Sequence, residues 1–175
     1  MQRIYIFGSS GSGKTTLAKS LAEKFGLPRI ELDSIHHQAG WTAIEVSDFR
    51  AQVQSLVDGD SWVIDGNYSV VRDLVLQRCD TIICLDYSRS FVMRRLIKRT
   101  LSRIWNRTEL WNGNREKFWF LFSTNKEKNL LLWAWTTHKR RHQQILDFMS
   151  DETLGATKRL RFSNAKETDS WLSSL

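Results

Sequence analysis

Residues 8–15 read Gly8-Ser9-Ser10-Gly11-Ser12-Gly13-Lys14-Thr15, and Thr16 follows directly. This is the pattern G-x-x-x-x-G-K-[ST], in which glycines let the backbone curl so that successive N–H groups point at a phosphate. The Lys14 ammonium is expected to contact the β- and γ-phosphates of a nucleotide, and the Thr15 hydroxyl to join the ligands of a Mg²⁺ ion. We therefore predict that residues 8–16 form a phosphate-binding loop (P-loop).

The residues on either side of this loop indicate whether the pattern lies between a strand and a helix, as a P-loop requires. Residues 3–7, Arg-Ile-Tyr-Ile-Phe, are apolar and β-branched and predict a buried strand. After the loop, apolar residues at a spacing of four predict one face of a helix over 14–25, with Gly26 as its C-terminal cap. An ordinary Gly/Ser turn before a helix is the alternative. Strand, loop and helix in this order favour phosphate binding.

Farther along the chain, strand and helix patterns alternate. Strands are predicted at residues 29–33, 62–65, 81–85 and 158–162. Helices are predicted at about residues 48–57, 70–77 and 90–103, as two stretches within 115–149, and from Ala165 onward. The spacing of apolar residues assigns Phe49, Val53 and Leu56 to the inward face of the 48–57 helix, and Met93, Ile97, Leu101 and Ile104 to that of the 90–103 helix. This alternation predicts an α/β fold, with a parallel sheet covered on both faces.

The length and composition are typical of one soluble globular enzyme domain. The chain has 175 residues, of which 41% are hydrophobic and 26% charged, and its apolar runs stay below the ~18 residues of a membrane span. The first strand begins almost at the N-terminus, which leaves no room for a signal peptide. Cys79 and Cys84 belong to no metal-ligand cluster. A single domain over residues 1–175 in the cytoplasm is therefore expected, with no membrane partner.

The net charge of +7 is concentrated in one segment. Its basic residues are Arg94, Arg95, Lys98, Arg99, Arg103, Arg107, Arg115 and Lys117, opposed only by Glu109 and Glu116. A solvated basic face is one interpretation, and a helical lid over about residues 94–117 that closes on an anionic partner is the other. Arg95, Arg99 and Arg103 recur every four residues and so share one stripe of the predicted helix. We expect at least one of them to contact the phosphoryl group during its transfer.

Two acidic residues end predicted strands. Asp65 follows Trp62-Val63-Ile64 and is expected to hold Mg²⁺ together with Thr15, although an Asp that opens an Asp-Gly-Asn turn is the alternative. Asp33 ends the strand 29–33. Because ligands of an open α/β sheet lie outside the carboxyl ends of its strands, Asp33 is expected to orient a substrate hydroxyl or accept its proton. A turn-capping role is the alternative for Asp33.

Two further groups of residues are candidates for binding. His36, His37 and Trp41 lie in the loop after Asp33, where a surface or substrate-lining role is favoured over a metal site, because adjacent histidines diverge and no third metal ligand is evident. Trp41 either stacks on a flat substrate or covers the core. Lys139, Arg140 and Arg141 close the predicted long helical segment. They reach the same phosphates, bind a second anionic substrate, or flank the C-terminus of the helix.

The P-loop, the strand ending in Val63-Ile64-Asp65-Gly66, the pair Leu85-Asp86 and the arginine-rich segment resemble the adenylate-kinase-like kinases of nucleotides and small molecules. Adenylate kinases have an Asp-Gly-Phe-Pro-Arg element where this chain reads Asp65-Gly66-Asn67-Tyr68-Ser69. With Leu32-Asp33 and Trp41, the chain looks closer to the branch called DNA topology modulation proteins, over about residues 1–145. The resemblance implies a three-layer fold with strand order 2-3-1-4-5, and an adenine contact at Ser163-Asn164.

The leading hypothesis is an ATP-dependent phosphotransferase that requires Mg²⁺. Its catalytic residues would be Lys14, Asp33, Arg95, Arg99 and Arg103. Its acceptor pocket would contain Asp33, Trp41, Asn67, Tyr68 and Arg72. The acceptor stays open among a nucleoside monophosphate, a hydroxylated metabolite, an antibiotic and a nucleic-acid end, and the oligomeric state stays open as well.

Two rival hypotheses come from other functional classes. A nucleic-acid-associated ATPase or regulator would use the basic segment and the Trp- and Phe-rich region after it to hold DNA or RNA, and its binding would weaken steeply with salt. A nucleotide-binding protein without catalysis is the other. Because Lys14, Thr15 and an acidic strand end are all present, the kinase hypothesis is preferred, and nucleic acid is a possible partner that is not favoured.

Overall fold

A computed structural model of the protein describes residues 1–123 and 129–175, and a five-stranded parallel sheet lies at its centre. The strands are β1 (Arg3–Gly8), β2 (Arg29–Glu31), β3 (Trp62–Asp65), β4 (Thr81–Leu85) and β5 (Lys158–Phe162). Their order across the sheet is β2-β3-β1-β4-β5, and all neighbours are parallel. The predicted α/β class and strand order are confirmed.

Helices connect the strands and cover the sheet. They are α1 (Lys14–Phe25), α2 (Leu32–His36), α3 (Val46–Val57), α4 (Arg72–Arg78), α5 (Arg89–Trp105), α6 (Leu130–Ser150) and α7 (Ala165–Ser174). Short 3₁₀ turns lie at Ala39–Trp41, Ser69–Val71, Trp111–Gly113, Phe118–Phe122 and Glu152–Leu154. Within the described residues, none of the helices is both long and apolar enough to cross a membrane.

Alternating side chains of the buried strands form two cores, one on each face of the sheet. On one face Tyr5, Phe7 and Ile64 pack with residues of α3, α4 and α6. On the other face Ile4 and Ile6 pack with residues of α1, α5 and α7. Since successive side chains of a strand point to opposite faces, a run such as Ile-Tyr-Ile-Phe is apolar throughout when both faces are covered.

The predicted strand 29–33 is too long, because β2 ends at Glu31 and Asp33 lies in the first turn of α2. β2 is an edge strand that pairs only with β3, and its last partner is Asp65, opposite Glu31. The partner strand β3 ends at Asp65, and the chain turns away from β2 at Gly66, where an added Cβ would lie 2.6 Å from the Leu32 Cβ. Without a pairing partner beyond Glu31, the chain coils into a helical turn, which places Asp33 just past the sheet edge.

Several predicted inward faces are wrong in detail. On α5 the buried residues are Val92, Leu96 and Thr100, whereas Ile97 and Leu101 are exposed. The reason is tertiary: an added Cβ on Gly11 would lie 3.0 Å from the Leu96 Cβ, so the P-loop packs closely on this face of α5.

The other corrections concern helix ends and one further face. On α3 Val57 is buried and Leu56 is exposed. The basic residues 139–141 lie in the middle of α6, which continues to Ser150, so they do not flank a helix C-terminus. In the predicted helical region 115–149 the structure shows the turn Phe118–Phe122 and then α6, and residues 124–128 lie outside the described residues.

Candidate active site around the phosphate loop

The P-loop connects β1 to α1 and needs glycine at its bends. Gly11 and Gly13 have φ values of 85° and 100°, a region that other residues rarely adopt. No side chain caps the start of α1, so its first N–H groups face the loop. An anion held there would meet several backbone donors and the positive end of the helix dipole.

Lys14 lies where the charges of the site converge. Its Nζ donates a hydrogen bond to the Ser9 carbonyl, at 3.1 Å. Burial lowers the pKa of Lys14 to about 8, an effect that Asp33 and Asp65 oppose and that Arg99 and Arg141 reinforce. The charges of these four side chains therefore act on the Lys14 ammonium.

Asp65 and Thr15 fit the predicted metal site. Asp65 is 3% exposed, and burial raises the pKa of its carboxyl to about 6, while a hydrogen bond from Thr15 lowers it. The second carboxylate oxygen, Oδ1, is buried without a partner. A carboxylate beside a hydroxyl, with one buried oxygen left over, is suited to a hard cation such as Mg²⁺, which would complete its shell with phosphate oxygens and water.

The three arginines of the basic stripe have different surroundings. A guanidinium nitrogen of Arg95 lies 3.3 Å from the position that a Cβ on Gly13 would take, so Arg95 covers the P-loop. Arg99 is partly buried, its Nε has no partner, and its pKa is lowered by burial and then by the neighbouring Arg103. Arg103 instead forms a salt bridge of 3.0 Å with Glu116. Arg95 and Arg99 therefore face the site with free donor capacity, whereas Arg103 is engaged.

Asp33 and Tyr68 form a polar pair beside Lys14. The Tyr68 hydroxyl donates to Asp33 Oδ1 at 2.6 Å and lies 3.5 Å from His37 Nε2. Burial and then the charge of Asp33 raise the pKa of Tyr68, so its hydroxyl keeps its proton. Burial lowers the pKa of both His36 and His37, which favours their neutral forms.

Trp41 contacts the segment after α5 instead of presenting a free face. Its backbone N–H donates to Asn114 Oδ1 at 2.9 Å, and its indole Nε1 donates to the Arg115 carbonyl at 3.2 Å. The Trp41 ring meets His37 and Trp111 edge-on. The loop after β2 and the segment 111–115 are thus joined over the acceptor side of the site.

Asn112 and Asn114 were missed by the sequence reasoning. Asn112 donates to the His37 carbonyl at 2.6 Å, and the buried Asn114 donates to the Gln38 carbonyl at 2.9 Å. Their only sequence signal is Asn-Gly-Asn at 112–114, a turn sequence in the region where the helix pattern stops. Nothing in that signal identifies the loop that the two amides bind.

The remaining predicted residues lie on two sides of the site. Asn67 donates from Nδ2 to the Gly8 carbonyl at 2.5 Å, at the mouth of the P-loop. Arg72 instead lies over the Phe7 ring, with its Cζ 5.4 Å from the ring centroid. Asn164 caps α7 by accepting from the Glu167 N–H, and it lines an open cavity of about 650 Å³ with Phe162 and Lys166.

Comparison with solved structures supports the fold. The chain superposes on a shikimate kinase from Acinetobacter baumannii in complex with shikimate with a TM-score of 0.55 and 16% identity, covering 99% of this chain and 90% of that one. A gluconokinase from Sinorhizobium meliloti gives a TM-score of 0.51 and 17% identity, covering 99% and 92%. At these identities the likeness establishes the architecture only.

Comparison with curated proteins gives partial matches. The chain is 39% identical over 57 residues to a probable gluconokinase from Schizosaccharomyces pombe, which is 33% of this chain and 26% of that protein. It is 35% identical over 65 residues to an adenylate kinase from Clavibacter michiganensis, 37% of this chain and 31% of that protein. The chain therefore spans between a quarter and a third of the length of these relatives.

Family membership rests on a longer match. Residues 4–148 match the family described as "ATPase family associated with various cellular activities (AAA)". This range contains the P-loop, Asp33, Asp65, the arginines of α5 and most of α6. The chain belongs to this family of P-loop ATPases.

Proposed function

We propose that this protein is an ATP-dependent phosphotransferase that transfers the γ-phosphoryl group to a hydroxyl of a small-molecule acceptor. The observation that carries the proposal is the link between the P-loop and Asp33: Asn67 donates to the Gly8 carbonyl at 2.5 Å, and the next residue, Tyr68, donates to Asp33 at 2.6 Å. The charges of Asp33 and Arg99 both act on Lys14, so cations suited to a transferred phosphoryl group are within electrostatic range of a carboxylate suited to a hydroxyl.

In the proposed reaction, the acceptor oxygen attacks the γ-phosphorus, and the bond from that phosphorus to the β,γ-bridging oxygen breaks. The acceptor proton passes to the Asp33 carboxylate, and ADP leaves with the bridging oxygen. The P-loop N–H groups and Lys14 hold the phosphates, while Thr15 and Asp65 hold the metal. Bound Mg²⁺ would neutralise charge on the β- and γ-phosphates.

The surroundings of Asp33 suit this role. Tyr68 donates to Oδ1 only, which leaves Oδ2 for the acceptor hydroxyl. The His36 ring packs against the Tyr68 ring and the His37 ring meets Trp41 edge-on, which places these side chains next to the Asp33–Tyr68 pair. We also propose that the chain is one domain over residues 1–175, in which residues 94–117 act as a lid. The adenine of ATP would contact the Ser163-Asn164 loop. The protein would work in the cytoplasm.

The test is ADP release from Mg·ATP across a panel of nucleoside monophosphates and hydroxylated metabolites. One acceptor should stimulate release, and Asp33→Asn should lower kcat with that acceptor by about 10²–10⁴-fold, because proton transfer by a positioned carboxylate contributes that much. The affinity for ATP should change little, since Asp33 does not touch the P-loop amides.

Asp60→Asn, which changes an exposed acid, is the matched control and should be fully active. Stimulation that survives in Asp33→Asn would refute the role of Asp33. Lack of stimulation across the whole panel would refute the small-molecule kinase.

A nucleic-acid-associated ATPase is the second candidate, in line with the resemblance to DNA topology modulation proteins. It is favoured by two exposed indoles: Trp105 is 88% exposed, and Trp119 is 66% exposed with Lys117 Nζ 5.8 Å from its ring centroid. Exposed aromatic rings next to cations can stack on unpaired bases.

This candidate predicts salt-sensitive binding of single-stranded DNA. If several phosphates are contacted, the affinity should fall by about 10³-fold or more between 50 and 200 mM salt. Trp105→Ala should weaken binding without changing the salt slope, and replacing Arg94 and Lys98 with Gln should flatten the slope. Binding that is equally weak in all variants would reflect the net charge alone and would refute this candidate.

A further inference from the structure

Two arginines from different helices meet over one phenylalanine ring directly behind the P-loop. Phe7 is the residue before Gly8. The Cζ of Arg72, on α4, lies 5.4 Å from the centroid of the Phe7 ring, and the Cζ of Arg141, on α6, lies 5.6 Å from it. Two cations far apart in sequence therefore contact the same ring, next to the residue that begins the P-loop, and the charge of Arg72 lowers the pKa of Arg141.

Among the residues that the structure describes, neither arginine has an acidic partner. Arg141 is 8% exposed and donates to two neutral oxygens, Gln144 Oε1 at 2.9 Å and the Asn67 carbonyl at 3.4 Å. Arg72 donates to the Tyr5 hydroxyl, while its Nε and Nη2 are buried without a partner. The ion pairs found among residues 1–123 and 129–175 include neither of them.

This arrangement is costly for the protein alone. Buried charges are normally paired, and guanidinium donors left unsatisfied lose their hydration without replacement. The pKa of Arg141 is lowered to about 10, mainly by burial and then by the charges of Arg140 and Arg72. Contact with the Phe7 ring offsets only part of this cost, because a cation–π contact is weaker than the hydration that a buried guanidinium group loses. An oxyanion between the two guanidinium groups would satisfy the free donors and cancel the repulsion.

The arginine pair borders the acceptor side of the site. The Asn67 carbonyl accepts from Arg141, and the Asn67 side chain donates to the Gly8 carbonyl. The next residue, Tyr68, binds Asp33. The charge of Arg141 also acts on Lys14. A molecule whose hydroxyl lies at Asp33 could therefore extend an acidic group toward the arginines.

We propose that Arg72 and Arg141 form an anion subsite that binds a carboxylate or phosphate group of the acceptor. The acceptor is then an acid-bearing alcohol, with its hydroxyl at Asp33 and its acidic group at the arginine pair. The identity of this molecule as a phosphoryl acceptor rests on the proposed function, whereas binding of the anion does not.

The first experiment measures binding by calorimetry with the P-loop already filled by Mg²⁺ and a non-hydrolysable ATP analogue. The probes are glycerate, glycerol 3-phosphate and glycerol, which share hydroxyl groups but differ in their acidic group. The two anions should bind and glycerol should not, and their relative affinities distinguish a carboxylate subsite from a phosphate subsite. Arg72→Gln and Arg141→Gln should each weaken anion binding at least tenfold.

Arg140→Gln is the matched control, because Arg140 is the exposed neighbour of Arg141, and it should bind like the original protein. Anion binding that is unchanged in Arg72→Gln and Arg141→Gln would overturn the subsite, as would equal binding of glycerol. If Arg141→Gln does not fold, which thermal melting shows, the result with Arg72→Gln decides.

The second experiment separates this proposal from the proposed function. With an acceptor found in the kinase panel, Arg72→Gln should raise KM at least tenfold with little change in kcat, a split that a loss of folding would not produce. Turnover of an acid-bearing acceptor with an unchanged KM in Arg72→Gln would refute the subsite and leave the kinase standing. Arginine-dependent anion binding without turnover of any acceptor would refute the kinase and leave the subsite standing.

Discussion

Lys14→Ala is expected to reduce phosphoryl transfer by about 10³-fold while the protein stays folded. The Lys14 ammonium donates to the Ser9 carbonyl within the P-loop, and fixed charges that stabilise a transferring phosphoryl group contribute on this scale. The fold should survive because burial lowers the pKa of Lys14 to about 8. The folded state therefore holds this proton less tightly than the unfolded chain does, so removing the charge does not lower the free energy of unfolding. ADP release and thermal melting measure the two effects.

The pH dependence of ATP binding tests whether the Lys14→Ala effect comes from the lost charge of the ammonium group. Above about pH 8 the free protein has lost the Lys14 proton and must take it up again to bind ATP. The ATP affinity of the original protein should therefore fall by up to about tenfold per pH unit above this point, with proton uptake that calorimetry in two buffers detects. In Lys14→Ala this fall should be absent. Lys24→Ala, at the far end of α1, is the control and should behave like the original protein.

Retained turnover in Lys14→Ala would contradict the assignment of the P-loop as the catalytic phosphate site. An unchanged pH profile in that variant would contradict the assignment of the titrating group. A large loss of melting temperature would mean that Lys14 supports the fold in a way that its burial does not explain.

Arg99→Ala is expected to lower kcat by about 10³-fold, the second large effect. An arginine that meets the charge of the transferred phosphoryl group can contribute about 10³–10⁵-fold. Arg99 interacts electrostatically with Asp33 and has a buried Nε with no partner, so its donor capacity is free for a ligand. Single-turnover kinetics, which separate chemistry from ATP binding, are the appropriate measurement.

Arg103→Ala is the matched control, one helical turn along the same stripe. Because Arg103 is bound to Glu116, we expect its replacement to change kcat by no more than about tenfold. Equal losses in the two variants would show that the stripe acts through the fold of α5 and not through one guanidinium group. A reversed order would identify Arg103 as the phosphate ligand and would mean that its salt bridge opens during the reaction.

The hydrogen-bonded contact between the loop after β2 and the segment 111–115 is relevant to both the Lys14 and the Arg99 experiments. The Trp41 N–H donates to Asn114, and the Asn112 amide donates to the His37 carbonyl. Asn114 also donates to the Gln38 carbonyl, so the loop after β2 is hydrogen-bonded to the segment 111–115. This segment follows α5 in the chain, so the position of Arg99 is coupled to the loop that carries Asp33. We expect acceptor binding and arginine placement to depend on each other for this reason.

Local patterns in the sequence were sufficient for much of the fold. The boundaries of β3, β4 and β5 match the predicted ranges, because each is a short run bounded by turn residues and recognisable without its neighbours. The phosphate-binding pattern located the site at the end of β1, and the family resemblance supplied the strand order. These features depend on residues adjacent in the chain or on a topology that the resemblance already carries.

The tertiary structure decided which side chains meet. The length of β2 depends on where its partner β3 turns at Gly66, and the buried face of α5 depends on its contact with Gly11. The pairing of Arg103 with Glu116 and the approach of Arg72 to Arg141 join residues from separate elements. Sequence alone was enough to predict a phosphate-binding loop between a buried strand and a helix, and the structure places that loop after the central strand β1. Which arginines are free to act there was decided only by packing, because burial and charge pairing depend on neighbours that lie far away along the chain.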